Sequence, residues 1–250
     1  DVDDTYFPQL DVLGDISENM MQLSQQIRFQ EHWDFDYFLR VKEEITIHIE
    51  KYFEDDRFPI LPQRAVKTVR DVLGKDDIVT LDNGVYKIWF ARNYKCYAPN
   101  TMLLDNALAT MGAGLASAIA AKMVYPEKKV ISVTGDGGFM MNAQELETAK
   151  RLDIDLVIII LNDASYGMIK WKQEGMGLEN YGLDFSNPDF VLHAESYGAK
   201  GYRPNSVEEF VTILKKVINA KGIHLIDLSV DYSVNHKILN ELLKNKTCLV

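Results

Sequence analysis

Two apolar runs, each closed by an acidic turn, constrain this chain most: VISVTGDGG at residues 130–138 and LVIIILND at residues 156–163. Runs this short, unbroken by polar positions and rich in β-branched residues, read as parallel strands buried on both faces. Their carboxyl ends then lie side by side, where open α/β sheets place their ligands. The first run ends in a glycine turn made of Gly135, Gly137 and Gly138 around Asp136. The second ends at Asp163. A turn of exposed backbone N–H groups and two carboxylates can together hold one hard cation and a phosphorylated ligand.

What the turn lacks narrows the chemistry. A P-loop would follow its glycines with Lys-Ser/Thr, and that lysine would neutralise phosphate directly. No lysine follows Gly138. Asp136 would repel phosphate unless a divalent ion lay between them, so the residues point to a Mg²⁺-bridged diphosphate. Taken alone, GDGG reads equally well as a plain strand-to-helix turn. The second acidic strand end at Asp163 tips the balance toward a site.

The rest of the chain supplies the frame. Helical spacing over 62–73 puts Ala65, Val66, Val69, Val72 and Leu73 on one stripe. Residues 78–81 read as a strand, 82–84 as a turn and 85–93 as a helix. Residues 112–121 are rich in Gly, Ala and Ser, which allows close approach of a helix or a cofactor. Asn142 and Glu145 have the spacing of a capping box opening a helix over 142–152. Strands at 200–202 and 225–228 flank a helix over 206–220. This alternation predicts an α/β fold, a mostly parallel sheet with helices on both faces. The globular domain spans 59–233. Before it, residues 1–27 read as a short strand, a turn at Gly14 and a helix whose Ile16, Met20, Leu23 and Ile27 share a face. A strand and a helix are too little for a core. Residues 28–58 read as a charged, aromatic linker containing a helix, and 234–250 as a polar, peripheral tail.

Composition excludes several classes. At 47% hydrophobic residues the chain can bury a sizeable core, and a net charge of −10 argues against nucleic acid as a partner. Trp33, Phe35, Tyr37 and Phe38 sit among acidic residues and read as packing groups, not as a base-stacking platform. No apolar run is long enough to span a bilayer and no signal peptide opens the sequence, which points to a cytoplasmic protein with no membrane partner. Cys96 and Cys248 have no metal or redox spacing, and neither His32 nor His48 has a partner at ligand spacing.

The stretch GDGGFMMNAQELETAKRLDIDLVIIILND resembles the thiamine-diphosphate motif, which opens with GDG and closes with NN or ND after a spacer of this length. The resemblance implies Mg²⁺ on Asp136, Asp163 and the Ser165 carbonyl. It places the diphosphate on that ion and on the amides of Gly135, Gly137 and Gly138. The likeness covers nearly the whole chain and is best with acetolactate synthases. MGAGLASAIAA resembles their MGxGLPxAIGA, with Ala116 in place of proline. It puts Met111 under the bend of a V-shaped cofactor; on position alone Met111 is a core methionine. DNGVYKIW resembles the D-x-G-x-H-x-x-W element that touches the diphosphate. It keeps Gly84 and Trp89 but carries Tyr86 for histidine and Val85 for a polar residue.

SYGMIKWKQ resembles the GMVxQWQ segment of the anabolic enzymes, where the tryptophan favours 2-ketobutyrate. That place holds Lys172, and Trp171 falls one position earlier. Met168 borders the active site in this alignment. The catabolic, pyruvate-specific enzymes also lack that tryptophan, and they resemble this chain further in GLDFSNPDFVLHAESYGAKG and VDYS. The resemblance therefore implies condensation of two pyruvates to 2-acetolactate with release of CO₂, without flavin. Its alternatives are another thiamine-diphosphate decarboxylase or carboligase, and a non-catalytic cofactor-binding or assembly module. The family's activating glutamate lies in an N-terminal pyrimidine-binding domain, which these 250 residues do not include; Glu145 and Glu147 are not assigned its role. That domain is the expected partner, from the same or a separate chain, in a homodimer or homotetramer. Residues 1–27 resemble the end of the family's middle domain.

Overall fold

The computed structural model describes residues 9–241. It divides into two units, Asp1–Ile45 and Thr46–Val250. The first unit holds α1 (Ile16–Gln26) and most of α2 (Asp36–Glu50). Asp15 caps α1 by accepting from the Glu18 N–H at 2.9 Å. Residues 9–13 form no strand, and the residues before them lie outside the described range. Trp33 stacks on Phe35, with ring centroids 6.0 Å apart, and Tyr37 meets Phe38 edge-on. These aromatics contact one another but each stays more than half exposed, so among the described residues they do not pack into a core as expected.

The second unit is a six-stranded sheet. Its strands are β1 (Ile78–Leu81), β2 (Met102–Leu104), β3 (Val130–Gly135), β4 (Leu156–Asn162), β5 (Lys200–Tyr202) and β6 (Ile223–Ser229). Their order is β2-β1-β3-β4-β6-β5, and every pairing is parallel. Around it lie α3 (Pro62–Val72), α4 (Val85–Asn93), α5 (Ala113–Val124), α6 (Asp136–Met141), α7 (Glu145–Arg151), α8 (Gly167–Gly175), α9 (Phe190–Ser196) and α10 (Val207–Val217). A π-helical turn follows at His236–Glu241.

The central strands are mostly apolar because both faces are covered, with Thr80, Ser132, Thr134, His224 and Asp227 as buried polar exceptions. Side chains alternate across the pleat. Val79, Ile131, Val133, Val157 and Ile159 join one core with α3, α4 and α10. Ile78, Val130, Ile158 and Ile160 join the other with α5, α7 and α9. The chain runs from β1 outward to β2, then returns to place β3 on the far side of β1. That reversal opens a crevice at the carboxyl ends of β1 and β3. No described helix is long and apolar enough to cross a membrane.

Two expectations are corrected. The Asn142–Glu145 capping box does not form: Asn142 instead donates from Nδ2 to the Gly112 carbonyl at 2.9 Å, and the residue before α7 makes no side-chain cap. A tertiary bond wins over the local one. The segment after 233 is also not peripheral over its described part. Asn235 accepts from Trp89 Nε1 at 2.9 Å, and Ile238 and Leu239 are buried in the first core. Two apolar residues among polar ones sufficed, because a helical turn needs only one buried edge.

Candidate functional site

Each of three strands ends on a residue or turn that faces the crevice. After β1 come Asn83, Gly84 and Tyr86; after β3 come Gly135, Asp136, Gly137 and Gly138; after β4 come Asp163 and Ser165. Met111, Met168 and Tyr232 complete the same cleft. The structure thus brings together every site residue expected from the sequence.

The two carboxylates are set differently. Asp136 is 1% exposed; its Oδ1 accepts from the Gly137 N–H at 2.9 Å and its Oδ2 from Asn187 Nδ2 at 2.7 Å. Burial raises its pKa above the usual carboxylate value. Asp163 accepts from Ser165 Oγ at 2.9 Å. Burial, and then the charge of Asp136, push Asp163 up to about 6. Two carboxylates that oppose each other's ionisation in a dry cleft are what a divalent cation would relieve. Between Asp163 and Ser165, Ala164 adopts φ +51°, left-handed backbone that a side chain disfavours by roughly 1–2 kcal/mol.

The cleft floor is backbone. A Cβ on Gly135 would lie 2.9 Å from the Tyr86 ring, one on Gly137 3.0 Å from the Tyr166 ring, and one on Gly138 2.6 Å from Asp82 Oδ2. A Cβ on Gly84 would also run into the Tyr86 ring. Side chains are excluded there, so only peptide groups and small atoms can approach. Tyr86 is buried, and its hydroxyl, beside Gly135 and Thr134, has no hydrogen-bond partner among the described residues. The Tyr232 hydroxyl is likewise buried and unpartnered. Burial pushes both phenols well above their ordinary pKa.

Sequence reading missed two residues that organise this site. Asp82 is 1% exposed and accepts from the Asn83 N–H at 2.7 Å, the Gly112 N–H at 2.8 Å and Thr134 Oγ1 at 2.9 Å. It thereby pins Gly112, at φ +90°, and so the residue beside it, Met111, to β1 and β3. Its signal was visible as the aspartate opening DNGVYKIW. Asn187 bridges Asp136 to Asn162 Oδ1 at 3.0 Å, and nothing in its local sequence marks it. Lys172 is exposed, with its Nζ 5.6 Å from the centroid of the Trp171 ring. Trp171 is half-buried and lines an adjoining cleft that shares Asp163 and Ser165.

The donor set fits a magnesium-bridged diphosphate. It offers oxygen ligands only, on two carboxylates, beside a glycine cradle and two unpartnered hydroxyls. Among the described residues no cluster of three or more His, Cys, Asp or Glu could cage a metal alone. Magnesium with few protein ligands completes its shell from phosphate and water oxygens.

Comparison with known proteins agrees with this geometry. The family model described as thiamine pyrophosphate enzyme, C-terminal TPP binding domain, matches residues 82–228, from the turn after β1 through β6. An acetolactate synthase of Bacillus subtilis (strain 168) is 34% identical over 251 residues, covering 97% of this chain and 43% of that protein. A probable acetolactate synthase large subunit of Methanococcus aeolicus is 40% identical over 71% of this chain and 31% of its own length. A catabolic acetolactate synthase of Raoultella terrigena is 30% identical over 95% of this chain and 43% of its own. The chain spans less than half the length of these relatives, and the catabolic type does not stand out among them. A family match covering more than half of the chain, centred on the cleft just described, shows that this chain belongs to the thiamine pyrophosphate enzymes and carries their C-terminal cofactor-binding domain.

Proposed function

We propose that this chain is the diphosphate- and metal-binding part of an acetolactate synthase. The observation that carries the reading is the pairing of Asp136 and Asp163 over one glycine cradle at the reversal of the sheet. Similarity to proteins named acetolactate synthase over almost the whole chain supports the reaction. Asp136, Asp163 and the Ser165 carbonyl would hold Mg²⁺. Gly135, Gly137 and Gly138 would turn backbone toward the diphosphate, with Gly84 leaving room beside them. The Tyr86 hydroxyl, unpartnered now, would donate to a diphosphate oxygen. Met111 would support the bend of the cofactor and Met168 would border the substrate.

Bound thiamine diphosphate supplies an electron sink that lets a 2-keto acid lose CO₂ and react as a nucleophile. The chain's own contribution is to bind, orient and exclude water. In balance, two pyruvate anions and one proton give one 2-acetolactate anion and one CO₂. The whole reaction further requires a pyrimidine-binding domain with its activating glutamate, supplied by the same or another chain in an oligomer. Product analysis on enzyme that includes such a domain tests the reading. With pyruvate as sole substrate, one 2-acetolactate should form per CO₂. Acetaldehyde, or any product other than acetolactate, as the main outcome would sink it.

A further inference from the structure

A second cavity, of about 100 Å³, shares no lining residue with the glycine cleft. It is formed by the end of α2, the start of α3, the face of α4 and the π-helical turn. Four basic side chains line it, His48, Lys51, Arg92 and Lys237, and no aspartate or glutamate does. This is unexpected in a chain of net charge −10.

Three side chains in this cavity carry groups with no partner among the described residues. Arg92 is half-buried, and among the described residues its guanidinium forms no ion pair or hydrogen bond. Burial alone acts on that group and lowers its pKa, with no carboxylate compensating. Desolvating a cation without a counter-charge costs free energy. Gln63 is 2% exposed, and its Oε1 has no partner. Asn93 donates from Nδ2 to the Ile49 carbonyl at 2.9 Å and leaves its Oδ1 unpartnered. Buried polar groups without partners are few in native proteins, and two of them, Gln63 Oε1 and Asn93 Oδ1, converge here beside Arg92.

We propose that this cavity binds a hydroxyl-bearing phosphate monoester. The guanidinium fork of Arg92 matches phosphate oxygens, and Lys51 and Lys237 add charge beside it. A phosphate monoester carries about −1.5 to −2 at neutral pH, which suits several cations better than the single charge of a carboxylate. Hydroxyls on the ester would donate to Gln63 Oε1 and Asn93 Oδ1, which inorganic phosphate would leave unmet. None of this depends on the cofactor reading of the glycine cleft.

Calorimetric titration of the full chain with glycerol 3-phosphate, inorganic phosphate and glycerol tests it. The ester should bind saturably, phosphate more weakly, and glycerol not at all. Arg92→Gln should weaken the ester by about tenfold or more, the equivalent of one charge-assisted hydrogen bond, and leave thiamine-diphosphate affinity unchanged. Gln63→Leu, which keeps volume but removes the acceptor, should weaken the ester more than phosphate. The proposal is overturned if the ester does not bind, if Arg92→Gln binds it as tightly as wild type, or if phosphate and ester bind equally.

Discussion

A carboxyl group that titrates near 6 opposes folding at neutral pH. Asp163 is held above the ordinary carboxylate value by burial and by Asp136. Its folded pKa exceeds its unfolded one, so the stability it contributes is present at low pH and lost as pH rises through about 6. Metal-free Asp163→Asn should therefore melt higher than wild type at pH 7.5, by a margin of order 1–2 kcal/mol, and the gain should vanish near pH 4. Thermal melts at the two pH values without divalent metal check this; a lower melting temperature at pH 7.5 would contradict it. Because the family motif accepts asparagine at this place, the variant should keep most of its cofactor affinity. Tyr86 gives a second prediction. Its buried hydroxyl has no partner. Tyr86→Phe should leave the cofactor-free protein as stable or more so, and weaken thiamine-diphosphate binding by one hydrogen bond, roughly two- to tenfold. Unchanged affinity would show that the hydroxyl does not reach the cofactor.

The elements matter here for what they hold in place. Asp82 ties the end of β1 to β3 and to the start of α5 through three accepted hydrogen bonds. Asp82→Ala leaves the Gly112 and Asn83 N–H groups and the Thr134 hydroxyl without that partner. It should cost about 2–4 kcal/mol in urea unfolding and loosen Met111 against the cleft; a loss under about 0.5 kcal/mol would mean water replaces the carboxylate. Much of this scale was legible in the chain. The limits of β1 and α4 match the expected residues, because continuous burial on a doubly covered sheet leaves apolar runs that turns must interrupt. What stayed hidden was set by distance in sequence. β2 is three half-buried residues paired only to β1, too short to show a period. α8 and α9, for which no helix was expected, follow stretches that carry glycine, serine and proline. Asn142 had the local signature of a cap and was claimed by Gly112, thirty residues away. Asp136 and Asp163 were legible because strand ends in a parallel sheet must meet; Asn187 was not, because a loop has no such rule.

At the scale of the molecule, the proposed function assigns these residues one wall of the cofactor site. Ile169, which lines it, remains 49% exposed. If the account holds, residues 1–250 alone bind thiamine diphosphate but do not turn over pyruvate, since an aminopyrimidine without a positioned glutamate reacts no faster than free cofactor. Multiple turnovers per chain with no other polypeptide present would contradict that. In the complete enzyme, Lys172 at the place of the anabolic tryptophan should leave no preference for 2-ketobutyrate over pyruvate; competition at equal concentrations, read as the ratio of 2-acetohydroxybutyrate to acetolactate, checks it. The central claim is that Asp136 and Asp163 hold the diphosphate through a divalent ion. Titration of thiamine diphosphate into the chain by calorimetry, with and without Mg²⁺, for wild type and Asp136→Ala, tests it most directly. The account predicts saturable binding that requires Mg²⁺ and is lost in the variant; binding of equal strength without Mg²⁺, or in Asp136→Ala with it, would contradict the account.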